Sequence, residues 1–400
     1  MNLTLTNIMA KNMIRSHFMA LQHSTLSQNI VISKSQFSRS FSSLLFTKNQ
    51  NHFIKIHNTK LSSFLDSVIK VNKDDLVKNE VLTDTYRSSD ENIEIDGCVF
   101  FNLRSKDDGA ACNIQNSNGI YSIKNSIFQD CRCERKGGAL YIKSYSLVLY
   151  GNCFHLCRCG TPNGSDGSTI YADASDFINT SFVTCHECPK FGDMCWYGIC
   201  NLWHADLYSN NINISKSEVE YVCSLAHCEP ARKISVIKFY TSVNGLTGNS
   251  LTFVGIRFPG DHQFGNIVNN SVKSGLIYFQ DSNTDVKDFI FISNSGPLTY
   301  ACVGVSNGTF IGCLFDRKYE NGIGYDSTID CKIRFRNVTQ IRMPMVNTFV
   351  CNNAINFEVS YDRSHLFILI GALGVVLIVI ATYYKQLLYL FRKLSGRRFK

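Results

Sequence analysis

No acidic residue follows Tyr384, and no cysteine precedes Cys98 or follows Cys351. The first absence places the charge. Of a formal +8, Lys385, Arg392, Lys393, Arg397, Arg398 and Lys400 supply +6, so everything before them carries +2. A surface that tracks phosphates needs its cations spread along a folded face, so no nucleic-acid partner is expected. Proline is scarce, six in 400 residues, and the Leu-x-x-Leu-x-Leu-x-x-Asn ladder of leucine-rich repeats is missing. Residues 1–30 hold no apolar run of the length that a secretory leader needs. No second well-spaced C-x-x-C accompanies Cys185-His-Glu-Cys188, which removes the four-thiolate zinc pattern.

The longest uncharged stretch is Leu366 to Tyr384, LFILIGALGVVLIVIATYY, nineteen residues followed by the basic tail. At about 1.5 Å per residue it spans the hydrocarbon of a bilayer. The cations after it place the C-terminus in the cytoplasm and residues 1–365 outside. The expected topology is a single-pass plasma-membrane protein with the lipid bilayer as partner through 366–384. The tail 385–400 either anchors the chain simply or lies along the anionic inner leaflet. All seventeen cysteines fall between Cys98 and Cys351, a density that fits an oxidising compartment. Sequons at Asn163, Asn179, Asn213, Asn269, Asn307 and Asn337 lie in the same region and are candidate glycosylation sites. A tail-anchored or organellar protein is the alternative that the missing leader leaves open.

Between these ends the chain repeats. Gly97-Cys-Val-Phe100, Asn125-Ser-Ile-Phe128, Gly151-Asn-Cys-Phe154 and Asn179-Thr-Ser-Phe182 each set a Gly or Asn three places before a Phe. Three residues after the Phe stand Cys131, Cys157 and Cys185, and Phe310-Ile-Gly-Cys313 repeats that spacing. Phe37 and Phe64 extend the series upstream with Ser in the cysteine slot, and Phe253 and Phe291 extend it downstream more loosely. Small pairs opening an apolar strand follow, as in Gly109-Ala-Ala-Cys-Asn-Ile and Gly137-Gly-Ala-Leu-Tyr-Ile. A period of about 27 built from short β pieces predicts a solenoid. The expected fold is all-β, a right-handed parallel β-helix over 30–355 with one C-terminal transmembrane helix. The expected division puts an N-terminal segment, read as an incomplete signal region, at 1–29 and a juxtamembrane linker at 356–365. Phe37, Phe64, Phe100, Phe128, Phe154, Phe182, Phe253 and Phe291 are assigned to the stacked core, and Cys131, Cys157, Cys185 and Cys313 to a stacked cysteine slot. Neighbouring slots lie about 4.8 Å apart, so adjacent-turn disulfides such as Cys131 to Cys157 and a ladder of unpaired thiols both remain open.

The combination of Phe-x-x-Cys, Asn-x-x-Phe and Gly-Gly-Ala-Leu-Tyr-Ile resembles the chlamydial polymorphic membrane proteins and the similar surface proteins of trichomonads. The motifs match best at 97–185, with Cys or Ser where the chlamydial pattern has Asn. The C-terminal helix and short basic tail are similar to the trichomonad type rather than to the bacterial autotransporter barrel. That resemblance implies a pectin-lyase-like β-helix at the cell surface with a role in adhesion, its partners being host or neighbouring-cell molecules or glycans.

Candidate chemistry is sparse. Cys153, Cys157, Cys159, Cys185, Cys188, Cys195 and Cys200 form the densest cluster, but the repeat explains Cys157 and Cys185, and neither a metal nor a cofactor is expected. A polysaccharide lyase or hydrolase is the alternative function that the fold allows, and it needs carboxylates converging on one face. Asp74-Asp75 and Asp107-Asp108 do not recur on stacked turns, so no catalytic residue is assigned. His155, His186, His204, His227 and His262 share no evident spacing. The irregular stretch 186–230, with Trp196 and Trp203, is the region nominated for recognition, because loops that interrupt a regular scaffold are where binding residues concentrate.

Overall fold

The computed structural model describes residues 2–13, 17–21, 28–47, 52–72, 93–160, 167–189 and 198–215, shorter stretches between 217 and 336, and Tyr383–Tyr384. The chain divides into two units, Met1–Val350 and Cys351–Lys400. The first is an all-β parallel solenoid. Each turn supplies three strands, as in Ile93–Asp96, Val99–Ser105 and Cys112–Gln115. Each of these pairs in parallel with its counterpart one turn on, in Ile120–Lys124, Ile127–Cys133 and Leu140–Tyr150. Alternation decides what faces inward: His52–His57 buries Ile54 and Ile56, and Ile93–Asp96 buries Ile93 and Ile95, while Lys55 and Glu94 pair outside at 2.9 Å. The ladder begins at Asn2, whose strand registers with Asn29–Ser33. Strands thus already occupy the stretch before residue 30, where the sequence placed a separate segment.

Two bends per turn use a single residue each in the left-handed region. Asn7, Lys34, Asn58, Gly97, Asn125, Gly151 and Phe182 form the first bend, with φ between +47° and +66°. Asn12, Arg39, Ser63, Asn102, Asp130, Leu156, Glu187 and Ser293 form the second, between +51° and +58°. A bend interrupts the backbone ladder, and at several turns the side chain of the residue after it repairs the loss. After the first bend, Cys98 N–H donates to Ser126 Oγ at 3.1 Å, and Ser126 N–H to Asn152 Oδ1 at 3.0 Å. After the second, Cys157 N–H donates to Cys188 Sγ at 3.3 Å, and Asn270 N–H to Asn294 Oδ1 at 3.0 Å. Ser, Asn and Cys are interchangeable in these slots because each couples a small acceptor to a donor. Gly137 opens the third strand at φ +63°; a Cβ there would lie 2.0 Å from the Leu140 carbonyl oxygen.

One inward column runs through the described solenoid: Ala10, Phe37, Leu61, Phe100, Phe128, Phe154, Cys185, Ile214, Ile267, Phe291 and Phe315, with the backbone of Val243 in register between Ile214 and Ile267. Phe100 and Phe128 stack at 4.7 Å, Phe128 and Phe154 at 4.6 Å, Phe291 and Phe315 at 4.5 Å, with rings within 7° of parallel. Burial of each ring is worth about 1.5–3 kcal/mol.

Three of the eight assigned phenylalanines fall elsewhere. Phe64 is buried but registers with Ser40, in the slot after the second bend, because Leu61 holds the column in that turn. Phe182 occupies the first bend at φ +55°, half-exposed and edge-on to Tyr150. Phe253 lies in a third strand opposite Phe279. The turn after Phe154 is longer than the two before it, so Cys185 rather than Phe182 reaches the column.

The cysteine assignments divide in the same way. Cys131 and Cys157 stand in the slot after the second bend, and Cys188 follows them there. Cys185 belongs to the phenylalanine column. Cys313 follows the first-bend residue Gly312, and its thiol donates to Val286 O at 3.3 Å just as Cys98 donates to Ile56 O at 3.3 Å. Cys131 and Cys157 are free thiols, not a disulfide, as are Cys98, Cys112, Cys185, Cys188, Cys200 and Cys313. Cys153 and Cys302 are disulfide-bonded. Cysteine density in this chain therefore reflects bend slots and core positions more than cross-links.

No helix among the described residues is long and apolar enough to cross a membrane. Of the run 366–384, only Tyr383 and Tyr384 are described, and both are helical and exposed. The basic tail, Lys385, Arg392, Lys393, Arg397, Arg398 and Lys400, lies outside the described residues.

Candidate recognition face

Three aromatic residues gather on the outer side of the third strands. Tyr141 and Tyr171 are register partners on adjacent turns, stacked at 5.0 Å. Trp203, one turn further on, registers with Asp173 and tilts against Tyr171 at 6.3 Å. The alternation that sends Leu140, Ile142, Ile170, Ala172 and Leu202 into the core sends these rings out. Lys136 stands over the Tyr171 ring at 5.1 Å. The stack is covered along its length, with Tyr141 and Tyr171 buried, and opens at its far end, where Trp203 and His204 are half-buried.

That open end carries the polar groups. His204 leaves the strand in the left-handed region, φ +59°, so its ring turns beside Trp203 at 5.7 Å, and Nδ1 lies 2.8 Å from Asp173 Oδ1. An indole, an imidazole and a carboxylate thus share one edge of the sheet. Such a group can stack on the apolar face of a flat ligand while exchanging hydrogen bonds with hydroxyls at its rim. Trp203 falls within the region nominated from sequence; Trp196 and most of 220–235 lie outside the described residues. The tyrosine stack had no sequence signal beyond the shared offset of Tyr141 and Tyr171 in their Ala-Leu-Tyr-Ile and Thr-Ile-Tyr-Ala strands.

Three described carboxylates elsewhere, Asp107, Asp108 and Asp130, have local partners. Asp107 meets Lys70 at 2.9 Å. Burial alone would lower Lys70, but the bond to Asp107 and the charge of Asp66 hold its ammonium above the ordinary value. Burial pushes Asp108 up, against the pull of the Lys136 N–H, which it accepts at 2.9 Å, and of Arg135 at 3.8 Å. Asp130 at its bend binds both Arg104 and Arg132 at 2.7 Å. These arginines and Arg158 hold matching positions on successive turns.

The sequons are placed unevenly. Asn307 is exposed in Ser306–Ile311, Asn179 is half-buried and accepts from Ser181 Oγ at 2.7 Å, and Asn213 is buried at 5% exposure. Asn163, Asn269 and Asn337 lie outside the described residues. Among the histidines, His155 and His186 are brought into register on adjacent turns beside Glu187, a proximity that the sequence alone did not reveal. Compared with protein-family models, curated proteins and solved structures, the chain matches none.

Proposed function

We propose that this protein is a cell-surface β-solenoid, tethered through residues 366–384, that binds glycans or other surface molecules of neighbouring cells and performs no chemistry on them. The observation that carries the proposal is the open end of the aromatic stack, Trp203 beside the His204–Asp173 pair. The apolar run with its basic tail, the sequons outside it, and the motif resemblance to chlamydial and trichomonad surface proteins support the location. The engagement of Asp107, Asp108 and Asp130 by cations and a backbone amide supports a binding rather than a cleaving role, since hydrolysis and elimination require carboxylates poised over substrate.

Binding of the purified full-length chain to a glycan array and to intact cells tests the reading. Trp203→Ala should reduce binding about thirtyfold, the loss of about 2 kcal/mol typical of a central tryptophan, with unfolding temperature unchanged. Unaltered binding by that variant would remove this face from the proposal, and release of reducing ends or unsaturated products from polyuronides would replace it with the enzymatic alternative. An epitope placed after residue 30 that labels only in permeabilised cells would overturn the surface location.

A further inference from the structure

We propose that His155, His186 and Glu187 form a binding site for a divalent transition-metal ion of the zinc class on the outer side of the second strands. The fold builds the triad from one turn and the next. Phe154 registers with Cys185, so His155 registers with His186, and their rings stack at 5.6 Å with 29° between planes. Glu187 is the following second-bend residue, and its left-handed backbone, φ +51°, turns the carboxylate back across both rings. Its Oε2 lies 3.7 Å from His155 Nε2 and its Oε1 3.9 Å from His186 Nε2, and one ligand atom from each residue falls within 4.8 Å of the other two. Ligands on a tetrahedral ion with bonds of about 2.05 Å stand about 3.3 Å apart. The ligand atoms must therefore draw together by at most about 1.5 Å to reach that spacing.

A second observation points the same way. His155 is 6% exposed, and its Nδ1 meets no hydrogen-bond partner. Its Nε2 lies 3.7 Å from Glu187 Oε2, longer than a hydrogen bond. A buried imidazole nitrogen without a hydrogen bond is costly, and a metal taken by Nδ1 would supply the missing partner while Nε2 stays beside Glu187. Two imidazoles and a carboxylate are a donor set suited to zinc, and three protein ligands leave a fourth position for water or for a group on a binding partner.

The C-x-x-C motif surrounding the triad does not compete. Cys185 points into the core, where its sulfur lies 3.8 Å from Cys200 Sγ. Cys188 turns inward at its slot, donating to His186 O at 3.3 Å and accepting the Cys157 N–H. The cysteines frame the site from inside while the two residues between them form it outside.

The test is titration of the purified full-length chain with Zn²⁺, followed by calorimetry and unfolding temperature, and with Co²⁺, followed by its visible spectrum. One ion per chain is expected, with a Co²⁺ spectrum of nitrogen and oxygen ligands that lacks a thiolate charge-transfer band. His186→Asn and Glu187→Gln, both at half-exposed positions, should each weaken Zn²⁺ binding at least about tenfold and remove the Zn²⁺-induced rise in unfolding temperature, whereas His57→Asn should leave both intact. No saturable binding, a thiolate band, or unchanged affinity in both variants would overturn the assignment.

Discussion

The amide of Cys157 donates to the thiol sulfur of Cys188 on the next turn at 3.3 Å, and the amide of Cys188 donates in turn to Ser217 Oγ at 3.0 Å. These cysteines serve as hydrogen-bonding side chains where the bend removes a backbone partner. Cys188→Ser should therefore leave stability within about 0.5 kcal/mol. Cys188→Val should cost about 1–3 kcal/mol by leaving the buried Cys157 amide unpaired. Urea unfolding of the two variants side by side measures the difference.

Phe128 is held between Phe100 and Phe154, stacked on both. Phe128→Ala should cost about 3–5 kcal/mol, removing transfer free energy and opening a cavity flanked by two rings. Phe182→Asn should be neutral or stabilising by up to about 1 kcal/mol, because asparagine tolerates the left-handed bend that a bulky side chain resists. Thermal unfolding of the two variants would rank them, and equal losses would contradict the register described above.

Gly137→Ala combines a left-handed backbone with a Cβ directed at the Leu140 carbonyl. A loss of more than about 2 kcal/mol is expected from backbone strain and contact together, read as a drop in the urea midpoint. Gly160, whose nearest contact to an added Cβ is 3.1 Å and whose φ is not left-handed, should lose less on the same substitution.

Burial pushes the thiols of Cys98 and Cys313 up to about 12 from an ordinary 9.0. A raised folded value means that the protonated thiol is favoured in the native state. Its contribution is fully present below pH 9 and is lost as pH rises from there towards 12, by about 1.4 kcal/mol per pH unit per thiol. Stability followed by urea unfolding should thus be insensitive to these groups at pH 8 and fall steeply above pH 9. Replacing both by Ser should flatten that fall. At pH 8 iodoacetamide should leave both thiols unmodified until the chain unfolds.

The parallel solenoid was legible because its bends recur with Gly or Asn and its core with Phe, and both signals survive in sequence at Gly97, Asn125 and Gly151. Turn length was not legible. The Asn179-Thr-Ser-Phe182 pattern matched the repeat three residues out of place, since the longer turn that follows Phe154 delivers Cys185 to the column instead. Leu61, Ile214 and Ile267 fill the same column without the aromatic signature, so a search for Phe passes over them. Two consequences followed from the misplaced turn. Cys185 was read as a slot residue when Cys188 holds the slot, and His155 and His186 looked unrelated. Aligning Phe154 with Cys185 sets the two histidines side by side with no further information.

The interchange of Ser, Asn and Cys in the slots after several bends also bears on how such a chain changes over generations. Serine and cysteine codons differ by one base, and a slot that asks only for a small hydrogen-bonding side chain registers little difference between them. Thiols can then accumulate through neutral exchange at such slots, as at Cys98, Cys131, Cys157, Cys188 and Cys313.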